Sequence, residues 1–361
     1  MYPCARRSLR FCLLIAGVAL IAGCGSAHRV STPPTTKTQP ETPKPSGPFA
    51  HPRSSPHLAR GSDPSVLPGD ILIADRSNSR LLVVDPQGRI VWQFGNAHRL
   101  PLPDDAFFSP DGRKNDATEE DVNANTVIDI ETRRIFYRVA NGLSHPDDAM
   151  MVPGGDIVSA DIKNCRLIEL RPPSRTPIVA LGSALRGCVH APPDAWGSPN
   201  GAFPRTGGGW IVTEINGDWV DALSPSGRIL WEMHPPGMYY PSDTNEIRPG
   251  LYLTVAYESP GILEKFTRSG HHVWRYVPRR GDPQLDHPSL ALPLPNGDVL
   301  LNDDYNDRVI VIDPRTNRVV WQYGHTNVPG TAPGFLNRPD GVDLVPPFSL
   351  MAGRHGTMPL R

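Results

Sequence analysis

The chain has 361 residues, enough for one large domain or two ordinary ones. Its formal net charge is −1, and no stretch shows the basic face of a nucleic-acid binder, so no nucleic-acid partner is expected. The 33 Gly and 42 Pro residues sit at regularly placed turns, which suits a β protein of many short strands rather than a helical one.

The N-terminus carries an address. Arg6, Arg7 and Arg10 form a basic start, and Phe11 to Ala22 form an apolar run too short for a comfortable membrane span. The following "IAGC", Ile21 to Cys24, resembles a bacterial lipobox, in which small residues precede a Cys that is acylated before cleavage. The resemblance implies a signal peptide over 1–23 and a mature chain beginning at lipidated Cys24. That chain would lie outside the cytoplasm and touch a bacterial membrane only through its stable diacyl anchor. Residues 24–65 are rich in Pro, Ser and Thr, cannot bury a core, and read as an extended tether.

From Ala74 the chain reads "ADRSNSRLLVVDPQGRIVWQFG", and from Asp303 it reads "DDYNDRVIVIDPRTNRVVWQYG". The pattern Asp-x-x-Asn-x-Arg occurs three times, at Asp75–Asn78–Arg80, Asp161–Asn164–Arg166 and Asp303–Asn306–Arg308. An alternating apolar run follows each, as expected of a strand with one face more buried than the other. Looser copies begin at Asp121, Glu214 and Tyr257, and Trp92, Tyr137, Trp231, Trp274 and Trp321 share one register near the end of the unit, where core packing between units is expected. Each unit also has an opening: a Pro followed by small or acidic residues at Pro103, Pro146, Pro199, Pro241, Pro288 and Pro339.

Six openings with four strands each predict an all-β, six-bladed β-propeller over residues 66–350, each blade being four antiparallel strands. The first unit lacks an opening strand and the last opening lacks the other three. One blade is therefore expected to be closed by both termini, leaving 351–361 as a tail without an assigned role. A monomer is expected. Cys165 and Cys188 remain once Cys4, Cys12 and Cys24 are accounted for, and an oxidising compartment favours a disulfide between them over two buried thiols.

In such a ring the residues after each opening Pro converge on the top of the central channel. Asp104, Asp147, Asn200, Asp243 and Asp340 are the expected ligand-binding residues, flanked by Asp105, Asp148, His145 and His287. Carboxylates packed around one channel repel unless protons or a cation neutralise them, though Asp or Asn after Pro is also ordinary turn chemistry. An outer ring of Asp75, Asp121, Asp161, Glu214, Glu258 and Asp303 is expected to hold turns.

The repeat "DILIADRSNSRLLVVDPQGRIVWQFG" resembles the NHL repeat, and its Trp-Gln-aromatic-Gly endings are similar to quinoprotein-like and arylsulfotransferase-like propellers. "SPNGAF" and "RPDGVDL" are similar to the metal-ligand segments of gluconolactonase-like propellers. That resemblance implies Asn200 and Asp340 as ligands of calcium or another divalent ion, and the arylsulfotransferase resemblance implies His145 and His287 as catalytic groups. The expected function is binding of a ligand or envelope protein over the top face. The alternative is an enzyme using the channel, either a metal-dependent lactonase-like hydrolase or a sulfuryl-type transferase.

Overall fold

Residues 47–352 and 360 are described by a computed structural model. The signal peptide, Cys24 and the first part of the tether lie outside the described residues. Among the described residues, all strands fall into six four-stranded antiparallel sheets. Blade 1 holds β1 (Ile71–Asp75), β2 (Arg80–Val84) and β3 (Ile90–Phe94). Blade 2 holds β4 (Ala106–Phe108), β5 (Lys114–Glu119), β6 (Ala124–Asp129) and β7 (Arg134–Val139). Blade 3 holds β8 (Pro146–Met151), β9 (Ile157–Asp161), β10 (Arg166–Leu170) and β11 (Val179–Gly182). Blade 4 holds β12 (Pro199–Pro204), β13 (Trp210–Glu214), β14 (Trp219–Leu223) and β15 (Ile229–Met233). Blade 5 holds β16 (Pro241–Arg248), β17 (Leu251–Ala256), β18 (Ile262–Thr267) and β19 (His272–Arg275). Blade 6 holds β20 (Ala291–Pro293), β21 (Val299–Asp303), β22 (Arg308–Asp313) and β23 (Arg318–Gly324). The last strand, β24 (Pro339–Leu344), pairs with β1 in the register Ile71↔Leu344 and Ile73↔Val342. The C-terminal strand thus supplies the missing inner strand of blade 1. The inner strands touch in the cycle β24, β4, β8, β12, β16, β20 and back to β24, which is a closed six-bladed propeller.

The Asp-x-x-Asn-x-Arg motif is a local lock. Asp75 Oδ2 accepts from Arg80 Nε (2.6 Å) and Asn78 Nδ2 (2.8 Å), while its Oδ1 accepts the backbone N–H of Asn337 (2.8 Å). Asp161 does the same with Arg166, Asn164 and Ser144, and Asp303 with Arg308, Asn306 and Asp286. Each carboxylate therefore ties a hairpin of its blade to the loop that feeds the same blade's inner strand. Two positions of the expected outer ring are corrected. In blade 2 the place belongs to Glu119, not Asp121, because β5 runs on to Glu119 and Asp121 falls in the following 3-10 turn. In blade 5 it belongs to Ala256, since β17 ends there and Ala256 pairs with Ile262.

The aromatic register joins neighbouring blades by packing and by hydrogen bonds. Trp92 Nε1 donates to Ile130 O (3.0 Å), Tyr137 Oη to Ser174 O (2.6 Å), Trp274 Nε1 to Asn317 Oδ1 (2.8 Å) and Trp321 Nε1 to Pro86 O (2.8 Å). Trp231 meets Tyr252 of blade 5 edge-on, with ring centroids 5.1 Å apart. Blade 3 has Val179 at this place, paired with Glu169 in β10.

Part of the expected tether is bound to the ring. From Gly47 onward the chain runs along the outer strands of blades 1 and 6: Arg53 N donates to Ile90 O (2.6 Å), Ala59 N to Gln322 O (3.1 Å) and Asp63 N to Val320 O (2.8 Å). Phe49 is buried edge-on against Phe108 at 6.1 Å. The exposed carbonyls of two edge strands thus find donors in a segment whose composition alone reads as unstructured. Cys165 and Cys188 are bonded, with 5.0 Å between their Cα atoms.

Candidate functional site at the channel mouth

The residue before each opening Pro is left-handed in all six blades: Leu102, His145, Ser198, Tyr240, His287 and Arg338, with φ between 48° and 55°. None is Gly, so each holds a conformation that L-residues rarely take and that surrounding bonds must impose. The backbone N–H of His145 donates to Asn123 Oδ1 (2.8 Å), that of Tyr240 to Asp218 Oδ1 (2.7 Å) and that of Arg338 to Asp307 Oδ1 (3.1 Å). Each acceptor belongs to the preceding blade, so neighbouring blades set the angle at which an inner strand enters.

Two layers of side chains follow. The upper layer is Asp104, Asp147, Asn200, Ser242, Ser289 and Asp340, which line a cavity of about 60 Å³. All five expected ligand-binding residues are buried at the channel, with Asp243 one layer lower. Asn200 Nδ2 donates to Ser242 Oγ (3.1 Å), and Asp340 accepts Arg76 Nη1 at 2.5 Å. The upper layer has a second contributor that the sequence reading passed over. The residue just after the outer-ring position also reaches the mouth, as Arg76, Glu120 and Tyr257 line the cavity and Asp304 meets Ser289 (3.4 Å). Arg76 bridges Asp104, Asp340, Glu120 (3.3 Å) and Asp121 (2.9 Å).

The lower layer is Asp105, Asp148, Gly201, Asp243, Leu290 and Gly341. A Cβ on Gly201 would lie 2.5 Å from Asp243 Oδ1 and 2.9 Å from Asp148 Oδ2, and one on Gly341 would lie 2.7 Å from Asp105 Oδ1. The two glycines therefore leave the space that the carboxylates fill. Asp105, Asp148 and Asp243 bring their oxygens within 4.8 Å of one another, and Oδ1 of each has no hydrogen-bond partner. Burial, then the neighbouring carboxylates, push Asp105 and Asp148 far above the usual carboxylate range; burial, with smaller help from Asp147 and Asp340 and against a hydrogen bond with Asp148, does the same to Asp243. Burial and Glu120 push Asp147 up to about 7. Asp340 goes the other way: burial opposes its charge, but Arg76 and donated hydrogen bonds outweigh it and hold it below the usual range.

His145 and His287 stand on the rim, and neither lines the cavity. His145 Nε2 lies 2.6 Å from Lys163 Nζ, and His287 Nδ1 lies 2.7 Å from Asp286 Oδ1. His287 belongs to an aromatic arc: its ring is 4.9 Å from Tyr257 and 4.4 Å from Tyr305, and Tyr257 is 5.6 Å from Tyr240.

No protein-family model matches the chain, and no curated protein matches it. Solved structures do. A protein of unknown function from Bacteroides caccae is 13% identical with a TM-score of 0.56, covering 77% of this chain and 99% of that one. A chain of the nidogen/laminin complex is 14% identical with a TM-score of 0.55, covering 77% of this chain and 98% of that one. The WD40 propeller domain of Doa1 is 6% identical with a TM-score of 0.50, covering 75% of this chain and 83% of that one. At these identities the likeness carries the propeller fold alone.

Proposed function

We propose that this chain is an extracytoplasmic, membrane-tethered β-propeller that binds a ligand or envelope protein over its top face. The observation that carries the reading is the mouth itself. Eight carboxyl groups (Asp104, Asp105, Glu120, Asp147, Asp148, Asp243, Asp304 and Asp340) gather there around the Arg76 guanidinium, beside the arc of Tyr240, Tyr257, His287 and Tyr305, where Arg338 already lies 4.4 Å from the Tyr305 ring centre. Buried carboxyl groups that hold their protons until a cation enters, flanked by aromatic faces, suit a partner that presents an ammonium or guanidinium group. The basic start, apolar run and Cys24 support the address, and the Cys165–Cys188 bond is consistent with an oxidising compartment.

Capture from an envelope extract tests the site. Wild type should retain a partner that Tyr305→Ala and Asp147→Asn lose together, and equal retention by all three would remove the top face from consideration. Cys24→Ala tests the address separately: it should release the protein or leave an unprocessed precursor.

A second reading has its own observation. The unpartnered oxygens of Asp105, Asp148 and Asp243 form an all-oxygen set that fits a hard divalent ion such as calcium. This set lies one layer below Asn200 and Asp340, and Asp340 is already engaged by Arg76. An ion there would neutralise the channel and polarise a substrate oxygen, as a lactonase-like hydrolase requires. Elemental analysis of the purified protein, with Asp148→Asn as control, decides for or against it. A transferase reading rests on His145 or His287 becoming covalently modified by a sulfuryl donor, and no contact in the mouth favours it over the other two.

A further inference from the structure

Blade 4 departs from the lock that stabilises blades 1, 3 and 6. Glu214 pairs with Trp219 in the register where Asp75 pairs with Arg80. The cation of the motif is therefore missing, and no Lys or Arg forms an ion pair with Glu214 among the described residues. Two residues after Trp219, Asp221 is fully buried; among the described residues no N–H group donates to either of its carboxylate oxygens, and Glu214 lies within hydrogen-bond reach. It sits directly across from Glu232 on β15, a like-charge pairing that costs stability unless something compensates it.

One basic side chain comes to this cluster, from the long connection between blades 3 and 4. His190 Nδ1 lies 2.9 Å from Glu214 Oε1, and its Nε2 faces Glu232 Oε1 at 3.5 Å. The imidazole plane is fixed by stacking on Trp219 at 3.9 Å and 9°, with His234 on the other face of the indole at 3.8 Å. The Cys165–Cys188 bond anchors the connection two residues before His190. The ligand atoms of His190, Glu214 and Asp221 lie within 4.8 Å of one another. Edges of a tetrahedron with bonds of about 2.0–2.1 Å are about 3.3 Å, so the three groups need little movement to share one ion.

We propose that His190, Glu214 and Asp221 form a binding site for a first-row divalent metal ion of the zinc class, separate from the central channel. One imidazole nitrogen with two carboxylates is a zinc-type donor set, unlike the all-oxygen channel. The second nitrogen of His190 faces Glu232, the usual way in which a carboxylate orients a metal-bound imidazole and fixes its tautomer. His190 is partly exposed, which gives the ion a way in and leaves a coordination position for water.

The test is zinc uptake by the full chain after chelator treatment, read by elemental analysis after equilibrium dialysis and by melting temperature. Wild type should take up one equivalent more than His190→Ala or Asp221→Asn, and its melting temperature should rise by about 5 °C at a hundredfold excess over the dissociation constant. Both variants should lose that rise. Asp148→Asn, in the channel, should leave the difference unchanged, which separates this site from the channel readings. Equal zinc uptake by wild type and both variants would mean adventitious binding at surface histidines and would overturn the proposal. So would an Asp221→Asn protein that melts well below wild type without zinc, because Asp221 would then be a structural partner of Glu214 rather than an open ligand.

Discussion

Arg76 Nη1 meets Asp340 Oδ2 at 2.5 Å, joining a turn near the start of the ring to the strand that ends it, 264 residues later. The same guanidinium holds Asp104 of blade 2. One side chain thus stitches blade 1 across its two chain segments and blade 1 to blade 2, at the point where the channel is most acidic. Arg76→Ala leaves two buried carboxylates without their cation, a change that typically costs about 3–5 kcal/mol. Arg76 is 18% exposed, so about 3 kcal/mol is expected in denaturant unfolding. A loss under about 1 kcal/mol would mean that another cation replaces it in solution.

Closure itself is testable by truncation. A chain ending at Asn337 lacks β24, so β1 loses its pairing with 339–344 and becomes an open edge. Buried Val342 and Leu344 are lost as well. The melting temperature should fall by more than about 10 °C. A truncated chain that melts with wild type would contradict the closed ring.

Trp321 carries the seam between blades 6 and 1. Trp321→Phe keeps most of the packing and removes the donor to Pro86 O, an expected loss of about 1 kcal/mol. Trp321→Ala empties a fully buried site and should cost about 3–5 kcal/mol. Similar losses for the two variants would assign the aromatic register to hydrogen bonding rather than to packing.

The ring was legible because its locks are local. Asp75, Asn78 and Arg80 act within one turn, so the same letters recur wherever that turn does. The mouth was half legible. Pro and its acidic followers repeat, but the position after the outer ring reads Arg76, Glu120, Ile162, Ile215, Tyr257 and Asp304, with no common chemistry to mark the three of them, Arg76, Glu120 and Tyr257, that line the cavity. Blade 2 misled the frame because Glu119, Glu120 and Asp121 are all acidic, and blade 5 because Ala256 carries no acid at all. His190 joins Glu214 through a long connection whose path no periodicity describes. The bound stretch from Gly47 was hidden by its Pro and Ser content, since it docks through backbone donors and Phe49 rather than through an apolar pattern.

The disulfide closes 23 residues of sequence separation and fixes the connection from blade 3 to blade 4. The chain-entropy account gives it roughly 3 kcal/mol. Cys165→Ala with Cys188→Ala should lose about that much, and thiol labelling of unfolded, unreduced wild type should find neither residue reactive.

Asp343 gives the pH dependence a defined sign. It is fully buried, accepting backbone N–H groups from Phe108 (2.9 Å), Leu344 (2.8 Å) and Leu350 (2.9 Å). Burial outweighs these donors and pushes its carboxyl up to about 7. The folded chain therefore keeps a proton that the unfolded chain releases near pH 4. The stability tied to this group is fully present below about pH 4 and is lost as pH rises through about 7. Asp343→Asn keeps the shape and the oxygen that Leu344 and Leu350 bond, loses the acceptor of Phe108 N–H equally at every pH, and carries no proton to lose. Unfolding free energies at pH 5 and pH 8 should thus fall less steeply in Asp343→Asn than in wild type. Equal slopes in the two proteins would show that Asp343 is ionised in the folded state, with its three backbone donors overcoming burial.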